Sequence, residues 1–356
     1  MRTPKKKEPA MSVTHKKIAE AAGVSQSTVS KALSDSTEIP PETAEHIRRI
    51  AEQLGYFEEK LDQRRRRAGG YLFPHVAILV PEIVSWYYAH TVELLQQEIE
   101  RIGGMTQVYL CGFDDIRARI LLDQLEHQQL ADCVICMDDV YAPDSYSLPL
   151  LFYGSSSRRN EDSAYPCVRY TYWESLQDVL AHIRSLGHTR IGFIGENNTR
   201  DKEKMFRELM QEDGLSCDDA LIYTSPYRFE RIGHDGVRAF HIRGNMPTAL
   251  ITAYDEVAFG AIQELRNLGY RVPEDVSVVG CNDVPYAVYH DPPLTTVSHR
   301  ERERCAAAIR LLCRMITDKH MPPETIQFRS ELIIRESTAP CRKNESQNFH
   351  IEENPS

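Results

Sequence analysis

The 356 residues contain no apolar run near the ~18 that a membrane-spanning helix needs. The opening MRTPKKKEPA is basic, but no apolar segment follows it, so a secretory leader is not expected. Signatures of several enzyme classes are missing as well: there is no GxSxG, Walker, HExxH or GxGxxG pattern. The acid pairs Asp114-Asp115, Asp138-Asp139 and Asp218-Asp219 do not substitute for them. Adjacent side chains point apart on a helix or a strand, so these read as solvated loop charges. The nine cysteines are scattered and odd in number, as in a reducing cytoplasm. Cys133 and Cys136 form a CxxC inside the apolar run ADCVICM, with no second Cys/His pair at zinc spacing, and read as core strand residues. No metal and no cofactor is expected. A C-terminal leucine heptad is also lacking, so a coiled-coil tetramer is not expected.

What is present begins with VTHKKIAEAAGVSQSTVSKAL, residues 13–33. Ile18, Ala19, Ala22, Val24, Val29, Ala32 and Leu33 recur at helical spacing and can close a small core. Thr14 and Ser25 stand where helix N-caps belong, and Gly23 lies in the sharp turn between two short helices. The outer face of the second helix carries Gln26, Ser27, Thr28, Ser30, Lys31 and, just beyond, Ser34. A merely solvated face would carry more Glu and Lys. Short donors and acceptors suit the edges of bases in a major groove, where Gln pairs with adenine and Lys reaches guanine. Pro40 and Pro41 then open a third helix, about 42–54, closed by Gly55.

Charge follows the same division. The net charge is −10, yet residues 1–70 hold 14 Lys and Arg against 10 Asp and Glu, a net of +4; the remainder holds 28 against 42, a net of −14. A basic head on an acidic body fits a polyanion-binding module attached to a part that avoids polyanions. Between them FEEKLDQRRRRAGG (57–70) has too few apolar residues to bury as a helix. It reads either as a solvated linker or as a basic segment that orders on a phosphate backbone.

From residue 73 onward, short apolar strands alternate with amphipathic helices. Strands are expected at 75–80, 105–112, 131–137, 148–154, 190–195, 220–225, 248–253 and 276–280, with a last one in FRSELIIRES (328–337). Helices are expected at 87–102, 116–129, 173–186, 201–213, 233–243, 255–268 and 301–317. This alternation predicts an α/β body of two doubly wound parallel sheets, with ligands at the carboxyl ends of the strands. His188 follows the helix-ending Gly187 and reads as a structural turn residue.

With head and body both read, the chain resembles the LacI/GalR family of bacterial repressors. The carriers are the 13–33 segment, LGHTRIGFIGE (186–196), GYRVPEDVSVVGCND (269–283), DPPLTTV (291–297) and LIIREST (332–338), in that order. The resemblance implies an all-α helix–turn–helix head on a periplasmic-binding-protein-like body of type I. The implied division is a disordered tail at 1–11, a head at 12–57 and a hinge or linker at 58–72. One body subdomain follows at 73–170 plus 299–327, the other at 171–298 plus 328–340, and a disordered tail at 341–356. Met11 is an alternative start.

By position, the resemblance makes Thr14, Ser25 and Thr28 phosphate contacts. It makes Gln26, Ser27 and Lys31 base readers, with Ser30 and Ser34 beside them. Lys31 stands where the family usually has arginine, and a lysine meets guanine as a point charge, not a planar fork. In the linker, the leucine that relatives push between base pairs is replaced by Arg65, a poor wedge, so weaker bending of the DNA is expected.

For the effector, the resemblance points to Trp86, Tyr87 and Tyr88 as aromatics stacking on a sugar. It also points to Lys202, in place of a hydroxyl-gripping arginine, and to Tyr254, Asp255, Asn282 and Asp283 at strand ends. Asp255 and Asn282 also read as helix N-caps. Aspartates common in the family are absent at Gly154 and Thr171, so the ligand cannot be copied from a relative. A sugar is the expected class, with a galactoside the first candidate.

The resulting expectation is a cytoplasmic homodimer, not an enzyme, that represses transcription on a near-palindromic double-stranded operator and responds to a sugar. The alternatives are a sugar-binding protein with no DNA role and an α/β sugar-processing enzyme.

Overall fold

A computed structural model describes residues 13–33, 38–56, 74–137, 146–156, 165–317 and 321–342. Three helices open the chain: α1 (His15–Ala22), α2 (Gln26–Leu33) and α3 (Pro41–Gln53). Thr14 caps α1 by accepting from Lys17 N, and Gly23 ends it in the left-handed region at φ 67°. Ser25 Oγ accepts from Thr28 N at 3.1 Å and so starts α2. Ile18, Val29, Ala32 and Ile47 are fully buried together with Ala19, Ala51 and Tyr56. Two polar contacts tie this small core at its edges. His15 Nε2 lies 2.6 Å from Tyr56 Oη, and Arg48 donates to Ala32 O at the end of α2. The expected third helix is present, one residue earlier at each end than the expected 42–54, because Pro41 fits a first turn.

The chain divides into two compact units, Met1–Tyr153 with Ser163–Cys167 and Cys305–Glu324, and Gly154–Asp162 with Val168–Arg304 and Thr325–Ser356. In the first unit, the parallel strands β1 (His75–Val80), β2 (Met105–Leu110), β3 (Cys133–Cys136) and β4 (Leu150–Ser156, entering the second unit at Gly154) run in the order β2–β1–β3–β4. Helices α4 (Trp86–Arg101) and α5 (Asp115–His127) connect them. Val76 to Val80 are fully buried, and Cys133 and Cys136 lie fully buried within β3, as core strand residues. Leu79, Val134 and Cys136 pack with Ala118, Leu122 and Leu125 of α5.

The second unit starts its regular structure with β5 (Cys167–Thr171, whose first residue still belongs to the first unit) and α6 (Tyr172–Ser185). Next come β6 (Ile191–Glu196), α7 (Arg200–Glu212), β7 (Ile222–Ser225), α8 (Glu230–Ile242), β8 (Ala249–Thr252), α9 (Asp255–Asn267) and β9 (Ser277–Val279). The sheet order is β7–β6–β8–β9, all parallel. Parallel strands with intervening helices were the expected architecture. Three details differ. β5 was not anticipated, because five residues running straight into a helix show no separate period. β10 (Thr296–Ser298) was not anticipated for the same reason. The single closing strand is two, β11 (Thr325–Phe328) and β12 (Glu331–Ile333); the latter pairs antiparallel with β10. Between β10 and β11 lies α10 (Glu301–Thr317).

His188 is buried and held by Thr248 Oγ1, Ala339 O and Ser277 Oγ at 2.9–3.2 Å, a structural role as expected. Burial pushes its imidazole pKa down. Of the acid pairs, Asp114 caps α5 through Ile116 N and Arg117 N, and Asp218 accepts from Ala220 N. Asp138-Asp139 lies outside the described residues.

Candidate functional site

The head presents one surface built for contact. Gln26, Ser27, Ser30 and Lys31 are exposed on α2, with Ser25 exposed at its start and Thr28 half-buried. Ser25 Oγ sits 2.8 Å from both Ser27 Oγ and Thr28 Oγ1, so the three hydroxyls form one cluster at the helix N-terminus. Three hydroxyls at a helix N-terminus suit a phosphate oxygen. Lys31 pairs with the carboxylate of Glu38, and both side chains are exposed. Thr14 caps α1 with its hydroxyl and stays exposed. Ser34 and Arg65 lie outside the described residues, and so does the segment whose effect on DNA bending was in question.

In the first unit the three candidate aromatics share the first turn of α4. Glu82 shapes the approach by accepting from Val84 N and from Ser85 N. Trp86 stacks on His90 at 4.3 Å, Tyr87 meets Tyr88 edge-on at 5.2 Å, and Tyr88 meets Phe113 edge-on at 5.9 Å. All three are half-buried, so ring surface is still offered to solvent.

In the second unit the candidates converge on the carboxyl ends of β6, β8 and β9. Lys202 donates to Ala253 O at 2.8 Å, approaches Cys281 Sγ at 3.9 Å and lies over the Tyr172 ring. Tyr254 is buried; its hydroxyl donates to Glu196 at 2.8 Å and accepts from Phe229 N. Burial, then the Glu196 charge, pushes its pKa up. Asp255 is fully buried, accepting from Thr296 Oγ1 at 2.5 Å and Val284 N at 2.8 Å. Burial pushes its pKa up to about 8. Gly280 makes this possible, since a Cβ there would stand 2.1 Å from Asp255 Oδ1. Asn282 and Asp283 both have positive φ, 103° and 49°. Asn282 is nearly buried, while Asp283 pairs with Arg335 at 2.6 Å.

Asp255 therefore stands inside the unit as a strap between strand ends and not at a surface. Tyr254 is likewise engaged internally. The sequence placed both after a strand correctly, but strand position alone does not say whether a side chain turns out or in.

Sequence reasoning missed two groups. Glu196, at the end of β6, is buried and receives Arg228 Nε on both carboxylate oxygens, at 3.2 and 3.1 Å. Arg228 also lies over the Phe229 ring, and Phe229 has φ 62°. Beside it, Arg231 covers the exposed Tyr227 ring at 3.4 Å. The strand-end rule that selected Tyr254 would have found Glu196 and Tyr227. Nothing local could pair Glu196 with an arginine 32 residues away.

Among the described residues, no helix is long and apolar enough to cross a membrane.

Comparison with known proteins gives a consistent result. The model of the bacterial regulatory proteins of the lacI family matches residues 14–58, and that of the periplasmic binding protein-like domain matches 180–338. The HTH-type transcriptional regulator MalR of Streptomyces coelicolor is 30% identical over 341 residues, covering 90% of this chain and 95% of its own. DegA of Bacillus subtilis, another HTH-type transcriptional regulator, is 26% identical over 346 residues, 93% of this chain and 99% of its own. A solved lac repressor dimer bound to operator and the anti-inducer ONPF has a TM-score of 0.66 at 19% identity, covering 92% of this chain and 100% of that one. The complex of the transcriptional regulator CelR with cellobiose gives 0.64 at 24% identity, covering 91% and 99%. At such identities these two structures speak for the fold.

Proposed function

Because the chain belongs to the lacI family of bacterial regulatory proteins, we propose that it is a repressor whose hold on a specific operator is controlled by a sugar. The observation that carries this is the face of α2: exposed Gln26, Ser27, Ser30 and Lys31 above a cluster of three hydroxyls. Gln26, Ser27 and Lys31 read base edges, with Ser30 and Ser34 beside them. Thr14, Ser25 and Thr28 hold phosphates, and Arg65 reaches the minor groove without wedging it. Within this reading, head and linker keep the boundaries given above, and the two body subdomains follow them.

A homodimer presents two heads to half-sites one helical turn apart, ~34 Å. Its interface is proposed on the first unit, where Met105, Val108 and Leu110 of the terminal strand β2 and Ile116 and Ile120 of α5 are exposed. The effector is a mono- or disaccharide, with a galactoside the first candidate. The cellobiose in the CelR complex supports the class. Trp86, Tyr87 and Tyr88 offer ring faces to its C–H surface. Lys202, Asn282 and Asp283 offer polar groups, with Tyr254 and Asp255 holding the strand ends in place behind them. The curated relatives being regulators supports a non-enzymatic role, and the absence of a membrane-crossing helix among the described residues is compatible with the cytoplasm.

The test is capture of fragmented genomic DNA by the purified protein, with and without added sugars, over a range of salt. Enrichment of near-palindromic fragments, steep loss with salt and release by one sugar are expected. Uniform capture of all fragments, or capture that no sugar alters, overturns the proposal. A plain sugar-binding protein or an enzyme would show no enrichment.

A further inference from the structure

Behind the strand ends of the second unit lies a buried polar chain that the proposed function leaves without a role. Cys281 Sγ is 3.9 Å from Lys202 Nζ and 3.2 Å from His299 Nε2. His299 Nδ1 is 2.7 Å from Ser330 Oγ, and the imidazole stacks on the Tyr170 ring at 3.7 Å and 17°. The Arg304 guanidinium also lies over that ring, at 4.5 Å. His299 and Arg304 are fully buried, and Cys281, Tyr170 and Ser330 are buried.

Protonation is fixed by this environment. Burial, with Arg304 and Lys202 nearby, drives the His299 pKa well below its ordinary value, so the ring is neutral and has one donor and one acceptor. Burial pushes the Cys281 thiol up to about 11, so it keeps its proton. Lys202 donates toward the Cys281 sulfur, the thiol lies within reach of both His299 Nε2 and Asn282 Oδ1, and His299 Nδ1 meets Ser330 Oγ.

The sequence positions at its far end matter. The chain passes from one unit to the other at Tyr153–Gly154, Asp162–Ser163, Cys167–Val168, Arg304–Cys305 and Glu324–Thr325, and the last three bear on His299. Tyr170 follows the first of these three, His299 precedes the second and Ser330 follows the third. One imidazole therefore touches Tyr170, two residues past Val168, and Ser330, five residues past Thr325, and itself stands five residues before Arg304. Lys202, at the other end, belongs to the candidate sugar contacts.

We infer that His299 is a positioning residue that carries the state of Lys202, through Cys281, to the segments by which the chain leaves the second unit. A close-packed interior lets this happen: a lysine drawn toward a sugar hydroxyl shifts the thiol, and the ring, stacked on Tyr170 and bonded to Ser330, transmits the movement. The inference rests on the reading that a sugar is sensed near Lys202.

The test compares full-length wild type with His299→Leu, His299→Gln, Cys281→Ala and Cys281→Ser. The probes are fragmented genomic DNA and glucose, galactose, lactose, maltose and cellobiose. Thermal shift reads sugar binding, and DNA capture reads release. Wild type should lose operator affinity by about 5- to 150-fold when the active sugar is added. His299→Leu and Cys281→Ala should still bind operator and still be stabilised by that sugar, with release reduced below about twofold. His299→Gln and Cys281→Ser, which restore a donor and an acceptor, should recover release. If His299→Leu fails to fold, the Cys281 pair decides alone. Release equal to wild type in Cys281→Ala, or release lost only in proportion to lost sugar binding, overturns the inference. If none of the sugars releases wild type, the sugar-control reading fails first and the inference falls with it. If release is intact in every variant, only the inference fails.

Discussion

The head and the second unit use polar residues in opposite ways. On α2, short polar side chains sit outside a compact apolar core, and their hydrogen bonds are local ones, such as the Ser25 cluster. At the strand ends of the second unit, the polar groups bond inward and over long sequence distances: Glu196 to Arg228 and Tyr254, Asp255 to Thr296, Asp283 to Arg335. The contrast separates two kinds of recognition. A surface that reads DNA works with a fixed helix and exposed groups. A surface that senses a small molecule and reports it must be wired into the fold behind it, or binding would change nothing else.

Four experiments probe that contrast. The largest effect is expected from Gly260→Val. A Cβ there would lie 1.9 Å from Glu230 O, where α8 and α9 cross, so the helices must part. The cost should be about 3 kcal/mol or more, read as a lower melting temperature of the second unit. The apolar core of the head should keep its helices. Unchanged melting would show that the crossing tolerates separation.

Next, Lys31→Ala should weaken operator binding about 5- to 150-fold while leaving weak capture of random duplex nearly intact. Equal loss on both duplexes would make Lys31 a phosphate contact and not a base reader.

The third concerns pH. Asp255 is held protonated up to about pH 8, against an ordinary value of 3.8. Between those values the folded chain keeps a proton that the unfolded chain releases, so this group's contribution to stability falls as pH rises across the window. His299 acts with the opposite sign: its lowered pKa makes stability rise with pH below about 6.5, its ordinary value. Asp255→Asn should therefore flatten the decline in melting temperature on the alkaline side of that window. A mutant whose decline parallels wild type would show that Asp255 is ionised in the folded protein.

The smallest effect is expected at the head. Glu38→Ala removes the exposed partner of Lys31 and should raise DNA affinity by no more than about two- to fivefold, less at high salt. Weaker binding instead would mean that Glu38 orients the lysine.

Legibility in the sequence followed the range of the interactions. The two N-caps, the left-handed Gly23 and the burial of Ile18, Val29 and Ala32 could be read because each depends on neighbours within a few turns. The alternation that gave the parallel strands is local too. The split of the last strand was not legible, since Glu331–Ile333 becomes a strand by pairing with Thr296–Ser298, which no local period announces. The strand-end candidates were found as positions but not as environments. Tyr254 and Asp255 stand next to each other after β8; whether either meets solvent depends on Glu196, Thr296 and Val284, brought from elsewhere in the chain.

The sequence alone determined the helical head, its outward polar face, the α/β alternation and the family, because periodicity, capping and short motifs are properties of adjacent residues. Tertiary structure alone decided which strand-end groups are turned inward, how Asp255 and His299 are held, and which side chains join Lys202 to the passages of the chain. Burial and long-range hydrogen bonding exist only once distant segments have been packed against one another.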